Sequence, residues 1–336
     1  MVYSGSSTVN FSDLKSDMEF TIPQFVYQSI AGLLIISVAV GFLGNALVAV
    51  TIFKNKLFHV LVYALLLQVA VIDALFQVIV VPVNIYSLFQ TFWKPSTTLC
   101  NMMAYASYML RCTSGLLLII ISVYRCVILC YNKVYMRIRD PRVVTAACLI
   151  AWIETLVLIS VLGNRASFSL EYMTCVFEGV YLQRVLLILI YLPVSCIPIA
   201  MYIKIAVFVR KANRRVMPRG ITSLRNYQDS NKLTKTTALI LFNHLMTWLL
   251  PGIFLTVIQD DHTRRVIFIY IAHLLIQLTS AFDFIILFLS NKTIRGMILN
   301  LFKSTRHNIT QRGVELQQSA ASRIIISRIQ VLDTKL

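Results

Sequence analysis

Charge is what this chain has least of. Across 336 residues only 13% are charged, and acids number just 14. A water-soluble domain is about a quarter charged, so a soluble two-domain enzyme of this length is excluded, as are disorder and a coiled coil. Cysteine is sparse as well. Seven are present and none forms a CxxC pair, which argues against a disulfide-stapled secreted fold and against a zinc site. Residues Met1 to Phe20 lack the basic start and apolar core of a signal peptide. An uncleaved first helix is therefore expected to target the chain to the membrane. No long internal repeat is visible by eye, which weakens an inverted-repeat transporter.

What the chain does have is apolar length. Hydrophobic residues make up 58% of it, and the mean hydropathy is +0.75. A helix needs about 20 mostly apolar residues to cross the hydrocarbon core. Seven stretches qualify, near Ile30–Phe53, Val60–Leu88, Leu99–Tyr131, Val143–Leu162, Val185–Val209, Thr236–Val257 and Val266–Ser290. Strands of a barrel would be half as long and would alternate, so the expected fold is an all-α membrane protein, a seven-transmembrane helix bundle. Residues 1–26 precede the bundle at 27–290. At 291–303, Ile294, Met297, Ile298, Leu301 and Phe302 recur at helical spacing among Lys292, Arg295 and Lys303, which predicts a short amphipathic helix on the membrane surface. Residues 304–336 form a Ser/Gln/Arg-rich tail. The basic stretch from Ala212 to Asn231, with Pro218-Arg219-Gly220 inside it, reads as a flexible connector.

Orientation follows from Lys and Arg. With the N-terminus outside, 24 of the 31 basic residues fall on the cytoplasmic side and Arg111 falls within a span. The positive-inside rule thus predicts an extracellular N-terminus and a cytoplasmic tail. The net charge of +17 is then topology and attraction to anionic membrane lipids, and nucleic acid is not needed to explain it. Asn10-Phe11-Ser12 is a glycosylation sequon in the segment placed outside.

Residue spacing points further. Gly44-Asn45 lies in span one, and Asp73 follows in span two. Trp93 precedes Cys100 by seven residues, Arg125 follows Cys100 by 25, and Trp152, Cys175, Trp248 and Pro251 come after in order. This set resembles the rhodopsin-like (class A) family of G-protein-coupled receptors over nearly the whole chain. The chain also departs from the family pattern. Tyr124 stands where an acid usually precedes the Arg. Trp248 is three residues before Pro251 rather than two. Pro193 and Tyr202 are nine apart, one more than usual. Asp283-Phe284-Ile285-Ile286-Leu287 takes the place of Asn-Pro-x-x-Tyr.

The resemblance implies roles. Cys100 would bond Cys175 and tie the second outer loop over the bundle, the alternative being two free thiols. Asn45, Asp73, Ser114 and Asp283 would form a polar cluster. In related receptors such a cluster can hold a sodium ion; otherwise it is a helix-packing node. No other cofactor is implied, and no metal centre. A charge at bilayer depth requires a partner, solvent or a proton, and two nearby carboxylates share a cation or keep one proton. Ser107 and Arg111 in span three, with His273 and Gln277 in span seven, line the side open to the outside. Arg111 receives either an anionic or carbonyl-rich ligand group, or an internal carboxylate or carbonyl. Ser107 and Gln277 stand where amine receptors have Asp and opsins have Lys, which marks down both ligand classes. Trp248 and Pro251 would form an activation switch. Arg125, with Tyr124 and Tyr202, would couple to a heterotrimeric G protein.

The sequence therefore reads as a plasma-membrane receptor for an extracellular ligand, a neuropeptide or small chemosensory molecule. It does not read as an enzyme, since no nucleophile–base pair or metal set appears. The alternative is an ion-coupled transporter or channel using Asp73, Arg111, Glu154 and Asp283 as its path. That alternative gives no reason for the spacing of Cys100, Cys175 and Arg125.

Overall fold

A computed structural model describes residues 24–57, 60–89, 95–131, 133–135, 140–162, 165–169, 174–177, 180–214, 234–249 and 262–303. Nearly all of these are helical. Span one is Gln24–Lys54, span three Thr97–Cys130, span four Pro141–Leu162, span five Val180–Arg214 and span seven His262–Ser290. Among the described residues, five helices are long and apolar enough to cross a membrane, including span two taken through to Phe89. Among the described residues, span six runs from 234 to 249.

Local chemistry sets several of these boundaries. Span three starts at Ser96, whose Oγ accepts the Leu99 N–H at 3.3 Å, satisfying one of the donors that a helix start leaves open. Span four starts at Pro141, the position where a missing N–H is harmless. Just before it, Asp140 Oδ1 accepts the Arg142 N–H.

Three of the expected spans differ in detail. The second is two helices, Leu61–Ile79 and Val81–Phe89, interrupted at Val80. Pro82 cannot donate to the turn before it, which breaks the ladder there. The fifth is longer than Val185–Val209 and continues to Arg214, so Ala212 to Arg214 belong to the helix and not to the connector. In the sixth, the α-helix gives way to a π turn at Leu245–Leu249. A π turn takes in one extra residue, and Trp248 lies within it. Pro251 itself, like Asn10 and Trp93, lies outside the described residues.

Burial follows the helical repeat. In span one Tyr27, Ala31, Leu34, Gly41, Asn45, Val48 and Ile52 turn inward, while Phe25, Ile36, Leu43 and Phe53 are exposed, the pattern of a helix with one packed face. Span one packs against spans two and seven. Span three is the axis and touches spans two, four and five. Between spans four and five a two-stranded antiparallel hairpin, β1 (Ala166–Ser169) and β2 (Thr174–Phe177), pairs Phe168 with Cys175. The sequence reading did not foresee it. Residues 292–303 are helical, with Ile294 and Ile298 buried and Leu299 and Phe302 exposed.

Candidate functional site: an intramembrane polar cluster

Polar groups at bilayer depth require partners among themselves. Span three carries Arg111 and Ser114 on its buried face, span two carries Asp73, and span seven carries Gln277, Ser280 and Asp283; all six are buried. Ser280 is the hub. Its Oγ donates to Asp73 Oδ1 at 2.9 Å and lies 3.5 Å from Arg111 Nη1, while its backbone carbonyl accepts Asn45 Nδ2 at 3.0 Å. Asn45 thus ties span one to span seven, and it also donates to Gly41 O.

Asp283 meets span six. Its Oδ1 accepts Asn243 Nδ2 at 2.8 Å, and its Oδ2 lies 3.5 Å from His244 Nδ1. Asn243 donates further to Thr279 O. Asp73 Oδ2 and Ser114 Oγ are buried without a hydrogen-bond partner. The structure joins Asn45 and Asp73 at Ser280 and ties Asp283 to span six through Asn243.

Arg111 belongs to the same network. Its Nη2 donates to Ile276 O at 2.9 Å, and its guanidinium carbon stands 3.4 Å from the centre of the Phe76 ring, a cation–π contact. Phe76 is one helical turn beyond Asp73. Arg111 thus has an internal carbonyl partner on span seven. His273 and Gln277 pair with each other at 3.1 Å, and Gln277 O accepts Gln77 Nε2. Ser107 is half-buried.

Sequence reasoning passed over Asn243, His244 and Gln77. The signal was available: two adjacent polar residues inside the apolar run Leu241-Phe242 to Leu245-Met246 require partners at membrane depth.

At one end of the bundle Cys100 is bonded to Cys175, both buried. The bond sits in a small apolar core with Ala104, Ile159, Ala166 and Phe177. Phe177 meets Tyr105 and Tyr108, with ring centres 5.0 and 5.1 Å away. Two polar ties hold the hairpin down: Asn101 Oδ1 accepts the Ala166 N–H, and Thr174 Oγ1 donates to Asn84 Oδ1.

Toward the other end Arg125 is buried, with Nε and Nη2 lacking hydrogen-bond partners. The titratable groups acting on it are the phenols of Tyr202, Tyr63 and Tyr124. Tyr202 donates to Thr237 Oγ1 in span six at 2.6 Å, and Tyr124 meets Tyr135 edge to face. Trp248 falls in the π turn and is described by its backbone.

A helical bundle with a membrane-buried polar hub, a disulfide-tethered hairpin at one end and a buried Arg toward the other defines a multi-pass membrane protein of the receptor type. Comparison with known proteins gives its family. Residues 44–286 match the family described as 7 transmembrane receptor (rhodopsin family), and the chain belongs to that family, with its seven-helix bundle. It is a family of receptors rather than enzymes. Similar proteins include the melatonin receptor type 1A of Phodopus sungorus, 22% identical over 227 residues that cover 66% of this chain and 64% of that receptor. The type 1A receptor of Mus musculus is 23% identical over 227 residues, with the same shares. The type 1B receptor of Homo sapiens is 24% identical over 229 residues, 66% of this chain and 62% of that receptor. The chain matches less than two thirds of these relatives' length. Family membership favours a receptor over the transporter alternative.

Proposed function

We propose that this protein is a G-protein-coupled receptor of the plasma membrane, with its N-terminus extracellular and its tail cytoplasmic. An extracellular ligand binds at the disulfide end and selects a bundle arrangement that admits a heterotrimeric G protein at the Arg125 end. The observation that carries this reading is membership of the receptor family across residues 44–286. Arg125 supports it: a guanidinium with two unpartnered buried nitrogens is available to a partner that supplies acceptors.

Between the two ligand classes, the small molecule is preferred to the neuropeptide. The relatives are melatonin receptors by name. The test is G-protein recruitment in cells expressing wild type or Arg125→Ala, with melatonin first and a metabolite and peptide library after it. A wild-type response that Arg125→Ala loses at equal surface expression is expected. A response that survives in Arg125→Ala would remove Arg125 from the coupling step.

Tyr124 bears on the resting state. Family members usually place an acid before the Arg, where it restrains that Arg, and Tyr124 cannot form the ion pair. Wild type is expected to show ligand-independent nucleotide exchange, and Tyr124→Asp to lower it several-fold. Basal exchange that is absent, or unchanged in Tyr124→Asp, would defeat this prediction.

A further inference from the structure

The polar cluster contains two carboxylates and, unlike the sodium-holding arrangement implied by resemblance, a guanidinium. Whether a metal ion fits can be judged from the oxygens that remain. Asp73 Oδ1 accepts the Ser280 hydroxyl, and Ser280 Oγ itself lies against Arg111 Nη1. Asp283 Oδ1 takes an N–H of Asn243, and its Oδ2 faces the His244 ring. Asn45 turns its amide nitrogen, not its oxygen, toward Ser280 and Gly41. That leaves Asp73 Oδ2, Asp283 Oδ2 and Ser114 Oγ in the cluster as side-chain oxygens without a hydrogen-bond partner.

A hard cation needs several converging oxygens, and one oxygen of each carboxylate is already taken, Asp73 Oδ1 by the Ser280 hydroxyl and Asp283 Oδ1 by the Asn243 amide. Arg111 is close enough to act electrostatically on both Asp73 and Asp283, so its positive charge would repel a second cation. The ion does not fit this cluster.

We propose that Arg111 is the resident cation of the Asp73–Asp283 cluster, a charge supplied by the chain itself, and that the cluster takes no free sodium. Phe76 and the Ile276 carbonyl seat the guanidinium at this depth. Because Arg111 is covalently part of span three and reaches span seven, it also fastens those two helices in a way an exchangeable ion cannot. This holds whether or not the receptor reading above is right, because its test reads stability and not signalling.

The experiment is thermal melting of the purified full chain in detergent, followed with a thiol-reactive dye that reports exposure of the buried Cys112, Cys126 and Cys148. Sodium chloride is compared with choline chloride at equal ionic strength. Wild type should melt at the same temperature in both salts. Arg111→Met should melt lower in choline and recover several degrees in sodium, because removing the guanidinium leaves two carboxylates for an ion to neutralise. A wild-type melting temperature that rises with sodium, and ceases to do so in Asp73→Asn, would overturn the proposal. So would a folded Arg111→Met variant indifferent to sodium. If Arg111→Met fails to fold, Arg111→Met/Asp73→Asn, which leaves one carboxylate instead of two without a resident cation, should restore folding. A double variant that still fails to fold would count against the pairing.

Discussion

Cys100→Ser should remove most of the folded protein from the cell surface, whereas Cys196→Ser should leave it unchanged. The Cys100–Cys175 bond closes a loop of 75 residues, and in the chain-entropy account a loop of that length is worth about 4 kcal/mol. Domains are stable by only about 5–15 kcal/mol, so one bond is a large share. It also anchors more than itself. Ala166 and Phe177 of the hairpin pack around it onto Ala104 and Ile159; once the tether is cut, the hairpin keeps only its packing and its bonds to Asn101 and Asn84. Cys175→Ser should match Cys100→Ser, and the double variant should be no worse than either, because the two residues form one bond. Surface immunostaining and thermal melting both measure this. If Cys100→Ser melted within about a degree of wild type, the hairpin would be held by packing alone.

Much of this architecture is legible in the sequence. The apolar runs and the Lys/Arg asymmetry specify a polytopic bundle, because the bilayer admits few alternatives. The family resemblance supplied the pairing of Cys100 with Cys175. Local backbone events were less legible. The break at Val80 and the π turn at Leu245–Leu249 lie inside long, mostly apolar runs, and hydropathy does not register how hydrogen bonds are shared between turns. The extra residue between Trp248 and Pro251 is visible in the sequence only as an oddity of spacing.

In the polar cluster the acids stood out because charge in a membrane is conspicuous, whereas Asn243 and His244, which are neutral or weakly basic, did not. Arg111 was noticed and read with two alternatives. Spacing along one helix cannot say which neighbouring helix a side chain will reach, and the Ile276 carbonyl of span seven is 165 residues away in sequence. The cluster is therefore a product of packing, and its membership had to be seen.

Gly44→Ala should destabilise the bundle by about 1–3 kcal/mol, the usual range for overpacking a filled interface. Gly44 lies on span one beside Asn45, and a Cβ added there would coincide with Cγ and Cδ1 of the Phe284 ring. Those atoms sit next to the ring's own Cβ, so the ring cannot yield by a small swing of its tip. Either its rotamer changes or spans one and seven part, and parting would stretch the bond from Asn45 to the Ser280 carbonyl. Phe284 occupies the position where most family members carry proline. The bulky ring and the bare glycine therefore form one fitted pair across the two helices, with Phe288 stacked one turn further along. The same substitution at Gly32, where nothing lies within 4 Å, should be neutral or stabilising by up to about 1 kcal/mol, because Ala is the better helix former.

Phe284→Ala alone should also destabilise, through the gap it leaves, by less than the roughly 3–5 kcal/mol of a fully buried Phe, since this ring is only half-buried. Together the two substitutions relieve the clash, so Gly44→Ala/Phe284→Ala should be more stable than the sum of the single losses predicts, with a coupling of about 1 kcal/mol or more. Melting curves of the four proteins close the cycle. A Gly44→Ala variant that behaves like Gly32→Ala, or strictly additive losses, would mean that the ring has room to move. The approach of span seven to span one would then depend on the Asn45–Ser280 bond and not on this fitted pair.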